Sequence, residues 1–165
     1  MDIGIIGAGA MGCLYACLLS GQHRVTLYDV SPAVVDTINW QGVTLCEPDG
    51  TQTVYSVPAQ FSGQGMTAPE LLILFVKDLY SAAALETNRA LIGTHTRVLS
   101  LQNGMGNEEI LRQFVPGERV LLGTTKHNCV TKAPGVIYHS GAGITHIGAP
   151  EGGETAAAPA ADRLC

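Results

Sequence analysis

Short apolar runs alternate along the chain with stretches of helical periodicity. The apolar runs have the length and composition of buried strands, and each helical stretch places its apolar residues three to four positions apart. The strand patterns are Asp2–Ile6, Arg24–Tyr28, Leu71–Val76, Arg97–Leu101 and Val120–Thr124, and the helical patterns are Ala10–Ser20, Pro32–Asn39, Tyr80–Leu91 and Asn107–Phe114. This alternation predicts an α/β fold with a doubly wound, mostly parallel sheet.

Two segments depart from the alternation and predict β-hairpin additions to the sheet. Residues 43–57 carry two short strand patterns around Pro48-Asp49-Gly50, whose residue types favour a tight turn. A second hairpin is predicted from Val136–His139 and Ile144–Ile147, which flank a segment with two glycines. Beyond Gly148 the composition becomes rich in Pro, Gly, Glu and Ala. We therefore predict one domain over residues 1–150, with a linker and the beginning of a further helix over residues 151–165.

The first strand pattern leads directly into a glycine-rich turn with G-x-G-x-x-G spacing. In this motif the first glycine permits the tight turn, the second lets backbone approach a pyrophosphate, and the third lets the helix lie close to the sheet. The N–H groups at the helix start, together with the positive end of its dipole, favour bound phosphate. The motif predicts a Rossmann-type sheet and a dinucleotide site at Gly7, Ala8, Gly9, Ala10, Met11 and Gly12.

Asp29 ends the second strand pattern, about 20 residues beyond the glycines, where a carboxylate can accept both hydroxyls of an adenosine ribose. The same charge repels the 2′-phosphate of NADP. Residues 30–40 contain no Arg or Lys that would receive this phosphate, and Arg24 stands at the other end of the strand. The residues alone therefore favour NAD over NADP. The alternative interpretation is that Asp29 serves only as a turn residue before the next helix.

Composition narrows the class of protein. The formal net charge of the 165 residues is −5, which predicts no general attraction to nucleic acid or to anionic membranes. No apolar stretch reaches the length of a membrane span, and the N-terminus lacks the pattern of a signal peptide, so we expect a cytoplasmic location.

The cysteines are odd in number and scattered, which predicts neither a disulfide framework nor a metal site. Cys13 and Cys17 are predicted to be buried as small apolar residues.

Taken with these features, several short segments resemble the ketopantoate reductase (2-dehydropantoate 2-reductase) family. They are Gly7-Ala8-Gly9-Ala10-Met11-Gly12, Val76-Lys77, Gln102-Asn103-Gly104-Met105-Gly106, Gly123-Thr124-Thr125 with His127, and Gly143-Ile144-Thr145-His146-Ile147-Gly148. The resemblance implies a Rossmann domain followed by a helical domain, with the active site between them. It implies transfer of hydride from a nicotinamide cofactor to 2-dehydropantoate, which yields (R)-pantoate for pantothenate and coenzyme A biosynthesis.

The resemblance also implies roles for individual residues. Lys77 and Asn103 match family positions that line the cleft, where they would orient the cofactor and the 2-oxo acid. The alternatives are that Lys77 is a solvated lysine at a helix start and that Asn103 is a turn residue before Gly104. His127 follows a strand at the cleft side and is a further candidate. We expect Lys126 to be a solvated lysine, and His139 and His146 to be surface or edge-strand residues.

Two features depart from the family pattern. The family generally uses NADP, and Asp29 disagrees with this, so a cofactor choice of NAD and a different 2-oxo acid stay open. The principal catalytic acid of the family, a lysine, and a substrate-binding glutamate belong to the helical domain and do not match any of these 165 residues. We therefore expect the chain to bind cofactor and to turn over poorly. The alternatives are an NAD-dependent dehydrogenase of another 2-hydroxy acid and a non-catalytic nucleotide-binding module; self-association into a homo-oligomer is a further hypothesis.

Overall fold

The computed structural model describes residues 1–64, 67–102 and 106–150. In chain order the strands and helices of this part are β1 (Asp2–Ile6), α1 (Ala10–Ser20), β2 (Arg24–Asp29), α2 (Pro32–Gln41), β3 (Val43–Cys46), β4 (Gln52–Tyr55), β5 (Ala59–Phe61), β6 (Leu71–Leu74), α3 (Ser81–Thr87), β7 (Arg97–Ser100), α4 (Asn107–Leu111), β8 (Val120–Thr125), β9 (Asn128–Ala133), β10 (Val136–Gly141) and β11 (Thr145–Gly148). Short 3₁₀ turns cover Asp78–Tyr80, Arg89–Leu91 and Gly117–Arg119. Residues 151–165, for which we predicted a linker and a helix start, lie outside the described residues.

The described strands form a large sheet and a small sheet. The large sheet has the order β5-β2-β1-β6-β7-β8-β11, in which the first six strands are parallel and β11 is antiparallel to β8. This is the Rossmann order, and the chain reverses its direction of strand addition between β1 and β6. The predicted doubly wound, mostly parallel sheet is therefore confirmed, and the reversal opens a crevice at the carboxyl ends of β1 and β6.

The small sheet has the order β4-β3-β10-β9 and contains the first predicted hairpin, because β3 and β4 pair antiparallel. The second predicted hairpin is wrong. Strand β10 pairs with β9 and β3 in the small sheet, whereas β11 pairs with β8 in the large sheet. The turn of the real hairpin, between β9 and β10, contains Pro134 and Gly135, and Gly135 has a φ of +69°.

Glycine at position 143 reflects a close backbone approach rather than a hairpin turn. A Cβ at Gly143 would collide with the backbone of Lys126. The two segments stay together through a hydrogen bond from the Lys126 N–H to the Ile144 carbonyl oxygen, at 3.1 Å. The chain therefore leaves the small sheet after β10, passes close to the end of β8, and returns to the edge of the large sheet as β11.

The remaining differences from the predicted elements are local. Strand β5 was not predicted, because three residues carry too little pattern. The predicted helix Tyr80–Leu91 is interrupted at Asn88, whose side-chain amide donates to the Ala84 carbonyl oxygen at 2.9 Å and accepts from the Gly63 N–H at 3.0 Å. The α-helix therefore ends at Thr87, the Asn88 side chain links this end to the loop after β5, and a 3₁₀ turn over Arg89–Leu91 follows.

Apolar side chains pack on both faces of the large sheet. On one face, Ile3, Ile5, Leu27 and their neighbours pack with residues of α1, α2 and the small sheet. On the other face, Ile6, Leu72, Leu74 and Val98 pack with residues from the region of α3 and α4. Both faces of the central strands are covered, which explains why these strands appear in the sequence as continuous apolar runs.

Helix α1 lies between the two sheets and is buried on most sides. Its buried residues are Gly12, Cys13, Leu14, Tyr15, Ala16, Cys17 and Leu19. Burial raises the pKa of the Cys13 and Cys17 thiols to about 12. The Cys13 thiol also donates to the Ala8 carbonyl oxygen, at 3.2 Å, directly beneath the glycine-rich turn. Both cysteines therefore act as small core residues, as predicted.

The raised thiol pKa values predict an alkaline loss of stability. In the unfolded chain the thiols ionise from an ordinary pKa of 9.0, whereas in the folded chain they hold their protons to about 12. Their contribution to the free energy of unfolding is therefore complete below pH 9 and decreases as the pH rises above it. We expect a Cys13→Ala/Cys17→Ala double variant to lose less stability than the unaltered chain between about pH 8 and about pH 10.5 in urea unfolding. A Cys46→Ala control should keep the original dependence, and equal pH slopes for all three proteins would contradict the prediction.

Candidate functional site

The glycine-rich turn between β1 and α1 lies at the crevice where the strand order reverses. Gly7 has a φ of +101°, and its N–H donates to the Tyr28 carbonyl oxygen of β2 at 2.8 Å. A Cβ at Gly7 would lie 2.8 Å from the Phe75 carbonyl oxygen, just beyond β6. The backbone conformation and the lack of space both require glycine here, so the turn is held between the ends of β2 and β6.

The other two glycines of the motif have different surroundings. A Cβ at Gly12 would collide with the Gly7 carbonyl oxygen, so glycine at this position lets α1 begin directly against the turn. A Cβ at Gly9 would meet no atom within 4 Å, and its φ of −77° is allowed for any residue. Neither the packing nor the backbone conformation of the described residues therefore requires glycine at position 9.

The first turn of α1 presents backbone N–H groups to the crevice. Gly9 is the N-cap, and within the described chain no side chain caps this helix start. The Gly9 carbonyl oxygen accepts from the Cys13 N–H at 2.9 Å, which leaves the N–H groups of Ala10, Met11 and Gly12 without partners inside the helix. Such a helix start, with the positive end of the dipole, is suited to an anionic group.

Asp29 connects the end of β2 to this turn. One carboxylate oxygen, Oδ2, accepts from the Ala8 N–H at 2.8 Å, and the other, Oδ1, accepts from the Ser31 N–H at 2.9 Å. Each oxygen keeps a second acceptor site, so the half-buried carboxylate can still accept hydroxyl groups from the crevice. Arg24 is paired with Asp2 at the amino end of β2, where it cannot neutralise Asp29.

A cleft beside the turn contains Lys77, which was also predicted as a site residue. Lys77 is exposed and follows β6, and it lines this cleft of about 680 Å³ together with Met11, Gln102, Lys126 and His127. The Gln102 side-chain amide donates to the Val76 carbonyl oxygen at 2.5 Å and to the Ser81 hydroxyl at 2.8 Å, which joins the ends of β6 and β7. Asn103 lies outside the described residues.

His139 is not the surface or edge-strand residue that we predicted. This residue is 5% exposed, within β10, and its Nε2 lies 3.0 Å from Nδ1 of His127. Its Nδ1 lies 3.2 Å from Oε1 of Glu47, which follows β3. The expectation of a surface histidine failed because β10 lies inside the small sheet rather than in an edge hairpin. His146, by contrast, is exposed on the edge strand β11, as predicted.

His127 itself lies at the cleft, as its place after β8 suggested. Burial lowers the pKa of His127, and the neighbouring His139 lowers it further. Tyr15 of α1 contacts the His127 ring edge-on, with 6.0 Å between the ring centroids. The cleft therefore combines two lysines with a histidine whose neutral form is favoured.

Within the described ranges, no cluster of three or more His, Cys, Asp or Glu side chains is placed to bind a metal ion. No described helix is long and apolar enough to cross a membrane.

Comparison with known proteins identifies relatives of this chain. The family described as ketopantoate reductase PanE/ApbA matches residues 3–152. The 2-dehydropantoate 2-reductase of Halobacterium salinarum is 32% identical over 158 residues, which are 94% of this chain and 52% of the relative. The enzyme of the same name from Pyrococcus abyssi is 32% identical over 155 residues, 93% of this chain and 50% of the relative. The chain thus spans about half the length of the curated relatives it matches.

Solved structures extend the comparison. A ternary structure of D-mandelate dehydrogenase with NADH and anilino(oxo)acetate superposes with a TM-score of 0.91 at 30% identity, over 99% of this chain and 54% of its own. The 2-dehydropantoate 2-reductase of Geobacter metallireducens superposes with a TM-score of 0.80 at 26% identity, over 90% of this chain and 49% of its own. With the family match covering most of the sequence, these findings confirm the resemblance: the chain belongs to the ketopantoate reductase family.

Proposed function

We propose that the chain binds a nicotinamide dinucleotide with its pyrophosphate over the turn from Gly7 to Gly12. The observation that carries this proposal is the hydrogen bond from the Ala8 N–H to the Asp29 carboxylate, at 2.8 Å. This hydrogen bond places the glycine-rich turn directly beside a carboxylate that can accept ribose hydroxyls. The open space at Gly9 and the N–H groups of the first turn of α1 fit a pyrophosphate. When bound, the cofactor would supply or accept hydride.

Asp29 favours NAD over NADP in this proposal. Its two carboxylate oxygens can accept the ribose hydroxyls of NAD, whereas a 2′-phosphate would meet an unneutralised negative charge. Two unit charges ~4 Å apart repel by about 4 kcal/mol at an effective dielectric constant of about 20. The related D-mandelate dehydrogenase structures contain NADH, which agrees with this preference.

The cleft at Lys77 would receive a 2-oxo acid. Lys77 and Lys126 supply positive charge at the carboxyl ends of β6 and β8, where open α/β sheets bind ligands. Lys77 would attract the substrate carboxylate or a cofactor ribose, and Asn103 is proposed for the same cleft from the family resemblance alone. By the same resemblance the reaction is reduction of 2-dehydropantoate to (R)-pantoate.

A second candidate is an NAD-dependent dehydrogenase of another 2-hydroxy acid. The specific support is the superposition on D-mandelate dehydrogenase, with a TM-score of 0.91, combined with Asp29. Both candidates use the same turn and the same cleft, and they differ in the side chain of the substrate.

The cofactor preference predicts the behaviour of an Asp29→Asn variant. Asn keeps an acceptor for the Ala8 N–H, loses the acceptor for the Ser31 N–H, and removes the charge that repels a 2′-phosphate. In titrations followed by nicotinamide fluorescence, we expect the ratio of NADH affinity to NADPH affinity to fall by about tenfold or more. An Asp36→Asn variant, which changes an exposed carboxylate on α2, should leave the ratio unchanged.

An unchanged ratio in Asp29→Asn would remove the argument for NAD selection. Failure of the unaltered chain to bind either dinucleotide would overturn the proposed function as a whole.

The two substrate candidates predict different rates. With NADH as the reductant, the first candidate predicts a higher kcat/KM for 2-dehydropantoate than for phenylglyoxylate. The second candidate predicts the reverse order. Pyruvate serves as the control for the contribution of the substrate side chain, because both candidates predict a low kcat/KM for it. A ranking with pyruvate first would contradict both.

A further inference from the structure

Three side chains form a line of hydrogen bonds that runs from the small sheet to the cleft. Oε1 of Glu47 lies 3.2 Å from Nδ1 of His139, and Nε2 of His139 lies 3.0 Å from Nδ1 of His127. Glu47 is half-buried, His139 is 5% exposed and His127 lines the cleft beside Lys77. The line therefore connects a carboxylate at the tip region of the β3–β4 hairpin with the proposed substrate site.

The direction of the hydrogen bonds follows from a fourth group. The backbone N–H of Gly143 points at Nδ1 of His127, at 3.4 Å, and an N–H can only donate. Nδ1 of His127 is therefore an acceptor, so Nε2 of His139 must carry a proton. Nδ1 of His139 faces Oε1 of Glu47 at 3.2 Å, and one proton lies between these two groups.

This pattern determines the state of His127. With Nδ1 accepting, the proton of the neutral ring is on Nε2, for which no partner is present among the described residues. The charged and titratable groups around the pair are Glu47, Tyr15 of α1, Cys129 of β9, and Lys77, Asp78 and Lys126 of the cleft. Burial of the ring, and after it the neighbouring His139, lower the pKa of His127, which favours the neutral ring.

We propose that Glu47 and His139 hold His127 as a hydrogen-bond donor through Nε2, and that this donor binds an oxygen of the 2-oxo acid in the cleft. The proposal rests on the proposed function for the identity of the ligand. His127 would contact the substrate, whereas Glu47 and His139 are positioning residues that act through it. An imidazole that accepts hydrogen bonds at Nδ1 is polarised by them, and it donates through Nε2 more strongly than an isolated imidazole does.

The protonation pattern is tested first, by ¹⁵N NMR of the histidine rings in the unaltered chain. At neutral pH we expect the Nε2–H tautomer for His127. A Glu47→Gln variant replaces the carboxylate that faces His139 with an amide, and we expect the Nε2–H tautomer of His127 to be less populated in it. Glu118→Gln, at an exposed position far from the cleft, should leave both rings unchanged.

Ligand contact is tested next, with oxamate as a probe of the 2-oxo acid site in the NADH-loaded chain. We expect oxamate to shift the Nε2 resonance of His127. We also expect a His127→Phe variant to bind oxamate about tenfold more weakly while its NADH affinity is unchanged. A His127→Gln variant, which keeps a side-chain donor, should restore part of the affinity, and His95→Gln, an exposed histidine before β7, should have no effect.

The outcomes separate this inference from the proposed function. An Nδ1–H tautomer for His127, or oxamate affinity that is the same in His127→Phe, would overturn this inference and leave dinucleotide binding intact. Failure of the unaltered chain to bind NADH would overturn the proposed function, and with it the role of His127.

Discussion

The close approach of α1 to the turn that precedes it is the constraint on which the site depends. Glycine at position 12 allows the helix to begin against the Gly7 carbonyl oxygen, and Gly7 adopts a left-handed conformation between the ends of β2 and β6. The Asp29 carboxylate then ties β2 to the same turn through the Ala8 N–H. Because these contacts come from three adjacent strands, the geometry of the turn and the packing of the sheet support each other.

The small sheet supports helix α1 and the cleft beside the glycine-rich turn. It covers the face of α1 that the large sheet leaves open, so the helix is buried on both sides. The same sheet brings Glu47 and His139 to His127 at the cleft. The hairpin additions predicted from the sequence therefore contribute residues to the structure around the proposed substrate site.

Local signals in the sequence predicted the central strands, the glycine-rich turn and the acid at the end of β2. These features depend on short-range geometry: a strand buried on both faces needs a continuous apolar run, and the turn needs its glycines. The burial of His139 was missed because it depends on the pairing of β10 with the distant strand β3. The β9–β10 hairpin is local, but the mostly exposed strand β9 lacks the apolar alternation that would have predicted it. Strand β5 was not predicted for a different reason: its strand conformation depends on pairing with β2 and not on a pattern in its own three residues. The roles of Lys77, Asn103 and Asp29 in binding stay predictions.

The central claim is that dinucleotide phosphates contact the bare backbone at Gly9, and a Gly9→Ala variant tests it most directly. The added methyl group meets no protein atom within 4 Å, so the free energy of unfolding should be unchanged in urea titration. NADH affinity, measured by nicotinamide fluorescence, should fall by about tenfold or more, whereas Gly21→Ala, at an equally open position at the end of α1, should leave it unchanged. A stable Gly9→Ala variant that binds NADH as tightly as the unaltered chain would contradict the claim.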